Sequence, residues 1–294
     1  SVLAELFISR SDCNQMTKKP FFENENVTLY HGNCVEVLKE IKQEVKGVIT
    51  SPPYAMQRKK LYDGIEEEDY PKFTLDWMNS IELWDRGNVL INIRENISDG
   101  ILSDYVLKTR LFLRENDWKE IDELIWIKPD SMPVGNNKRP RRSWERVLWF
   151  SNHNQPIVYP KHNGNPSKRI GLPKEQTGKN TKQWGVGYSE GFSEGFSRCK
   201  DYVEVTIGTN AKTNHPATYP VKFAEWMIKL ISLPGEIVLD PFIGSGSSAI
   251  AALNTNRKII GIDSKKEYLD FCVERINKYT KTQDSTSTLQ GFLK

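Results

Sequence analysis

Two short stretches carry residue types suited to chemistry. The first is Thr50-Ser51-Pro52-Pro53-Tyr54, directly after the apolar run GVIT (47–50). Each proline fixes its own φ and drives its predecessor extended, so Ser51 and Pro52 have little freedom. The Ser51 hydroxyl and the Pro52 carbonyl can both accept hydrogen bonds from an NH2 group, and Tyr54 offers a flat face to an aromatic ring. An aromatic amine is a poor nucleophile because its lone pair is delocalised. Two acceptors holding its protons favour a tetrahedral nitrogen, aim the lone pair and stabilise the positive charge that develops. This is the chemistry needed to methylate an aromatic amine without a covalent enzyme intermediate. A Pro-Pro pair alone is more often the plain end of a strand, with the tyrosine capping a core.

The second stretch is Asp240-Pro-Phe-Ile-Gly-Ser-Gly-Ser-Ser-Ala, between the run EIVLD (236–240) and the helical SSAIAAL. Gly244 and Gly246 permit a tight turn and let backbone approach a ligand at a helix N-terminus. Asp263 ends the next strand, where a carboxylate can accept hydrogen bonds from ribose hydroxyls. Gly244-x-Gly246-x-x-Ala249 also satisfies the dinucleotide fingerprint, so on this loop alone a nicotinamide or flavin site stays open, as does a merely structural turn. Asp240 and Phe242 favour a methyl donor instead. A pyrophosphate has no use for a carboxylate, whereas a sulfonium with an ammonium group welcomes a carboxylate and a π face.

Strand-like and helix-like runs place both stretches. VTLY (27–30) and GVIT flank a helical CVEVLKEIKQ, GNVLINI (87–93) and EIDELIWI (120–127) read as later strands, and a helix is predicted around Ile101 to Arg114. After Tyr219 a helix VKFAEWMIKLI, strand EIVLD, helix SSAIAAL, strand KIIGID (258–263) and helix KKEYLDFCVERINKY follow, and the polar tail from Thr280 is expected to fray. Such alternation predicts a parallel α/β sheet, with ligands at the carboxyl ends of its strands. Between Lys128 and Thr213 the periodicity weakens and glycine, asparagine and serine accumulate. A short repeat, SEGF at 189–192 and 193–196, reads as loop rather than solenoid.

The 294 residues can bury a substantial core, and 38% hydrophobic with 27% charged residues fits a globular chain. A net charge of +3 does not by itself indicate nucleic acid. Cys13, Cys34, Cys199 and Cys272 show neither a disulfide framework nor zinc spacing, and His153, His162 and His215 show no metal spacing, so no metal is expected. With no basic-then-apolar leader and no run of about 20 apolar residues, no membrane is expected and a cytoplasmic location is. Local charge is more telling. Lys138-Arg139-Pro140-Arg141-Arg142 can neutralise phosphates, and arginines can read guanine edges, although such a run is equally often a solvated face. Lys168-Arg169 adds to it. Trp144, Trp149 and Trp184 are expected to serve packing.

Taken together, the chain resembles the amino-methyltransferases of the β circular order, best known from bacterial restriction–modification systems. Their order is catalytic motif, target-recognition region, cofactor motif. TSPPY and DPFIGSGS stand in that order here. NHPATYPVKFAEWMIKL (214–230) is similar to the HPA segment that helps close over the donor, and HGNCVEVL (31–38) to the segment preceding the catalytic strand. The resemblance implies a Rossmann-like methyltransferase sheet of permuted motif order, formed by 1–129 and 214–294, with 130–213 as an inserted loop-rich target-recognition region. It implies S-adenosylmethionine as donor, double-stranded DNA as substrate, and a cognate restriction endonuclease acting independently. Ser51, Pro52, Pro53 and Tyr54 would hold a flipped-out base. Asp240, Phe242, Gly244, Gly246, His215 and Pro216 would hold the donor, with Asp263 on its ribose. Asn33 stands where the family usually has Asp, so an amide oxygen would meet the donor's adenine amine. Lys138, Arg139, Arg141 and Arg142 would contact DNA. In this family Ser at the first catalytic position goes with cytosine N4 and Asp with adenine N6, which leaves adenine N6 as the alternative. C5 methylation is disfavoured because it needs a thiolate, usually in a Pro-Cys pair, and there is none. A nicotinamide-dependent oxidoreductase and a catalytically dead DNA-binding homologue complete the alternatives.

Overall fold

The computed structural model describes residues 18–55, 65–131, 139–166, 196–207 and 219–291, with side chains up to 282. In chain order the elements are β1 (Phe22–Glu23), β2 (Val27–His31), α1 (Cys34–Ile41), β3 (Val45–Thr50), α2 (Tyr70–Met78), β4 (Leu83–Ile93), β5 (Ile97–Ser98), β6 (Ile101–Leu102) and α3 (Tyr105–Glu115). They continue with β7 (Lys119–Ile127), β8 (Trp144–Ser151), a short 3-10 turn (Pro160–Asn163), β9 (Tyr202–Glu204), α4 (Val221–Ile231), β10 (Ile237–Asp240), α5 (Ser247–Asn254), β11 (Lys258–Asp263) and α6 (Lys266–Gly291).

Nine strands form one sheet in the order β1-β2-β11-β10-β3-β4-β8-β7-β9. The run β2, β11, β10, β3, β4 is parallel throughout. These strands are near-continuous Val/Ile/Leu runs because both of their faces are covered. Alternate residues go to opposite layers. Ile49, Leu90, Val238 and Ile259 pack with α4, α5 and α6 through Phe223, Met227, Ala252, Leu269 and Cys272. Val48, Val89, Leu239 and Ile260 pack with α1, α2 and α3 through Val37, Trp77, Tyr105 and Leu113. The result is a helix–sheet–helix sandwich that leaves the carboxyl ends of the parallel strands free to carry loops.

Three features differ from the sequence expectation. β8 and β9 fall within 130–213 yet are strands of the main sheet, β8 antiparallel to both β4 and β7. Residue 130 is therefore no boundary between layers. Ile101 and Leu102 form a hairpin strand rather than a helix start, because Asp99 (φ 51) and Gly100 (φ 79) make the two-residue turn that Asp-Gly favours. The last helix runs on to Gly291 instead of fraying from Thr280. Among the described residues no helix is long and apolar enough to cross a membrane.

Candidate active site

β3 and β10 are neighbours in register, Leu239 opposite Val48, so the Ser51–Tyr54 turn and the glycine loop leave the same edge of the sheet. A hydrogen bond joins them directly: Thr50 Oγ1 donates to Asp240 Oδ1 at 2.7 Å, across 190 positions of sequence. The Asp240 carboxylate, 1% exposed, also accepts from the Phe242 amide (3.1 Å), Ser248 Oγ (2.6 Å) and Tyr219 OH (2.9 Å). Two oxygens offer about four acceptor positions, and all are filled. Burial raises its pKa, while these hydrogen bonds oppose the rise. Asp240 thus fastens the end of β3, the start of α5 and the segment before α4 to one point.

In the glycine loop both Gly244 (φ 50) and Gly246 (φ 79) are left-handed. A Cβ on Gly246 would lie 2.3 Å from Cys272 Sγ on α6, so the loop is pressed against its own core. The Gly244 amide donates to Asp263 Oδ2 (2.9 Å) and the Lys265 amide to Oδ1 (2.8 Å), which fixes the carboxylate and leaves it further acceptor capacity. Burial pushes the Asp263 carboxyl up to about 6. Phe242 packs on Phe73 and Trp77 of α2, ring centroids 5.8 and 5.7 Å away. Phe242 and Tyr54 are both half-buried against the same apolar cluster. Asn33 caps α1, its amide oxygen accepting from the amides of Val35 (2.9 Å) and Glu36 (3.5 Å).

Behind the turn lies a polar network that sequence reasoning missed. Tyr54 OH donates to Glu145 Oε2 (2.9 Å), and Asn92 Nδ2 reaches Glu145 Oε2 (2.9 Å), Tyr54 OH (3.2 Å) and Ser51 Oγ (3.5 Å). Lys128 Nζ donates to Glu145 Oε1 (2.5 Å), with Arg94 Nη1 at 3.8 Å. Burial works against ionised Glu145, yet its pKa is lowered, because the Lys128 cation and the hydrogen bonds from Lys128, Asn92 and Tyr54 outweigh desolvation. The only sequence cue was a polar residue at the end of an apolar strand, Asn92 in NVLINI.

The basic run divides. Arg139 and Arg141 are exposed, each with one hydrogen bond to a backbone carbonyl, of Gly100 and Ser131 respectively. Arg142 turns inward, its guanidinium 2.8 Å from the Glu95 carbonyl and 3.7 Å from the Glu95 carboxylate. Trp149 is buried and bonded to Asn88 (2.8 Å), as packing demands, whereas Trp144 is 45% exposed. Lys138, Lys168, Arg169, Trp184, His215 and Pro216 lie outside the described residues.

A doubly wound sheet with a glycine loop, an acid ending the next strand and a rigid Ser-Pro-Pro-Tyr turn fastened beside them defines a methylase of the nucleoside-cofactor class. The chain belongs to the N6/N4 DNA methylase family, whose model, described as DNA methylase, matches residues 45–274. It is 26% identical to the Type II methyltransferase M.ScaI of Streptomyces caespitosus, over 90% of this chain and 86% of that one. It is 25% identical to the Type II methyltransferase M.PvuII of Proteus hauseri, over 89% and 87%. Among solved structures, the PvuII DNA methyltransferase (cytosine-N4-specific) shares the fold with a TM-score of 0.68 at 21% identity, covering 88% of this chain and 89% of that one. The M1.HpyAVI–SAM complex does so with a TM-score of 0.56 at 23% identity, covering 85% and 99%.

Proposed function

We propose that this protein methylates the exocyclic N4 amine of a cytosine flipped out of double-stranded DNA, with S-adenosylmethionine as donor. The observation that carries this reading is the Thr50–Asp240 hydrogen bond, which holds the amine-binding turn beside the glycine loop. Cytosine is favoured over adenine by Ser51 at the first position of the turn and by the likeness to a protein titled cytosine-N4-specific. Flipping is required because an amine paired inside a duplex cannot meet a donor.

The residues present fit the donor. Gly244 and Gly246 leave room for close backbone approach, Asp263 retains acceptor capacity for ribose hydroxyls, and Phe242 is half-buried beside them. When bound, the donor supplies an electrophilic methyl carbon. Asp240 serves it by position, since its four acceptor sites are already filled and a direct contact to the donor's ammonium would have to displace one. In this reading His215 and Pro216 close over the donor and Asn33 lies at its adenine end. The Ser51 hydroxyl and the Pro52 carbonyl take the amine's protons, with Pro53 stiffening the turn. Tyr54, its hydroxyl anchored on Glu145, offers its ring to the base. Lys138, Arg139 and Arg141 meet phosphates or base edges, whereas Arg142 is committed to Glu95. A separate restriction endonuclease of the same specificity is the expected biological counterpart, and 130–213 contributes target recognition.

Thermal unfolding with candidate ligands tests the donor. S-adenosylmethionine and its demethylated product should each raise the melting temperature, and NADH should not. A rise with NADH alone would reverse the reading in favour of an oxidoreductase.

A further inference from the structure

Methylating an amine creates a problem of proton disposal. The amine lone pair forms the N–C bond while the electrons of the broken S–C bond stay on the donor's sulfur, so the nitrogen is left positive with one proton too many. The Pro52 carbonyl is a poor base and cannot keep that proton. Ser51 Oγ is neutral and must pass on its own proton to accept another.

The network behind the turn offers a route. Tyr54 donates to Glu145 Oε2 at 2.9 Å, and the Ser51 and Tyr54 hydroxyls are held by the same Asn92 amide. Asn92 Nδ2 gathers all three oxygens around one nitrogen, 3.5, 3.2 and 2.9 Å from Ser51, Tyr54 and Glu145. Asn92 is 2% exposed, and its amide oxygen has no partner among the described residues. An amide cannot take a proton at neutral pH, so it orients this chain without ending it. The ionised groups facing the chain are Glu145 itself, Lys128 on Oε1 and Arg94 beside it. Only Glu145 can accept a proton, and Lys128 keeps it charged and ready.

Resting on the methyltransferase reading above, we infer that Glu145 is the terminal proton acceptor of the reaction, reached through Ser51 and Tyr54. The amine proton moves to Ser51 Oγ as the Ser51 proton moves to Tyr54 and the Tyr54 proton to Glu145. The step ends with neutral methylamine, intact Ser51 and Tyr54 hydroxyls and a neutral Glu145 carboxyl, and charge is conserved. Glu145 does not touch the substrate, so it is a positioning residue acting through Tyr54.

The test compares wild type, Glu145→Gln, Glu145→Asp and Tyr54→Phe in single-turnover methyl transfer, alongside calorimetric affinities for donor and DNA. Glu145→Gln should slow transfer by about 10²-fold, with KM and both affinities within about threefold of wild type. Glu145→Asp, which keeps a carboxylate, should recover part of the rate. Tyr54→Phe keeps the ring but breaks the chain, so it should slow transfer similarly and decides the matter if Glu145→Gln fails to fold. Transfer within about twofold of wild type in either variant would overturn the relay, as would a loss in Glu145→Gln that appears only in KM or donor affinity. No transfer by the wild type itself would overturn the underlying reading instead.

Discussion

Asp240 and Asp263 are both buried acids at strand ends, but they have different work. Asp240 has four donors, so Asp240→Ala strands the hydroxyls of Thr50, Tyr219 and Ser248 and the Phe242 amide. Each unpaired buried group costs about 1–3 kcal/mol, partly relieved by relaxation, so a loss near 3 kcal/mol in urea denaturation is expected, together with weaker donor binding. A loss below about 1 kcal/mol would show that the hub is dispensable. Among the described residues Asp263 is held by two amides, and burial pushes it up to about 6. As a raised acid it favours the folded state more as pH falls through 6 toward its unfolded value, so this group's own contribution to stability rises on acidification. Donor affinity runs the other way if the carboxylate is what accepts the ribose hydroxyls. It should fall about tenfold from pH 7 to pH 5 by calorimetry, and a flat profile would remove Asp263 from the donor site. From sequence, the acids at 240 and 263 stood out by their place at strand ends. Asn92, Lys128 and Glu145 did not, because the network exists only once β4, β7 and β8 are side by side, and no local spacing encodes that.

At the level of elements, the glycine loop is where local chemistry and tertiary packing agree. Gly246 needs a left-handed backbone and also has Cys272 Sγ where a Cβ would be. Gly246→Ala therefore suffers twice, about 1 kcal/mol or more from the backbone and the rest from the clash. Pairing it with Cys272→Ala should relieve the clash but not the backbone cost, so partial recovery of stability is expected. Full recovery would mean that the positive φ carries no penalty. The parallel strands were legible in sequence because burial on both faces makes them continuous apolar runs. The hairpin at 97–102 was overlooked although Asp99-Gly100 signals it, since Ile101 and Leu102 merge with the apolar pattern of α3. α2 was missed because Tyr70-Pro71 opens it and proline reads as a break, yet the first helical turn tolerates proline. β8 was read as part of a loop region because glycine- and asparagine-rich segments flank it on both sides.

For the whole molecule, nearly balanced charge concentrates the duplex-binding question on few residues. Arg139 and Arg141 are exposed and, among the described residues, bonded only to backbone carbonyls, while Arg142 is tied to Glu95. Replacing Arg139 or Arg141 with alanine should weaken DNA binding across sequences and reduce the slope of log affinity against log salt by about 1 if each meets a phosphate. Arg142→Ala should act mainly on stability. An unchanged slope in both exposed variants would place the duplex elsewhere. The sandwich architecture and the meeting of the two motifs were readable from their order along the chain; that β8 and β9 would extend the same sheet was not, because β8 joins it antiparallel and leaves no βαβ signature, while β9 is a parallel strand of only three residues.

The reading as a whole comes down to which atom acquires the methyl group. Mixed-sequence duplex DNA incubated with the protein and S-adenosylmethionine, digested to nucleosides and analysed by mass spectrometry, answers that directly. N4-methylcytosine is the expected product, lost in Tyr54→Ala. N6-methyladenine alone would contradict the assignment of the base, and unmodified nucleosides from DNA that the protein demonstrably binds would contradict catalysis itself.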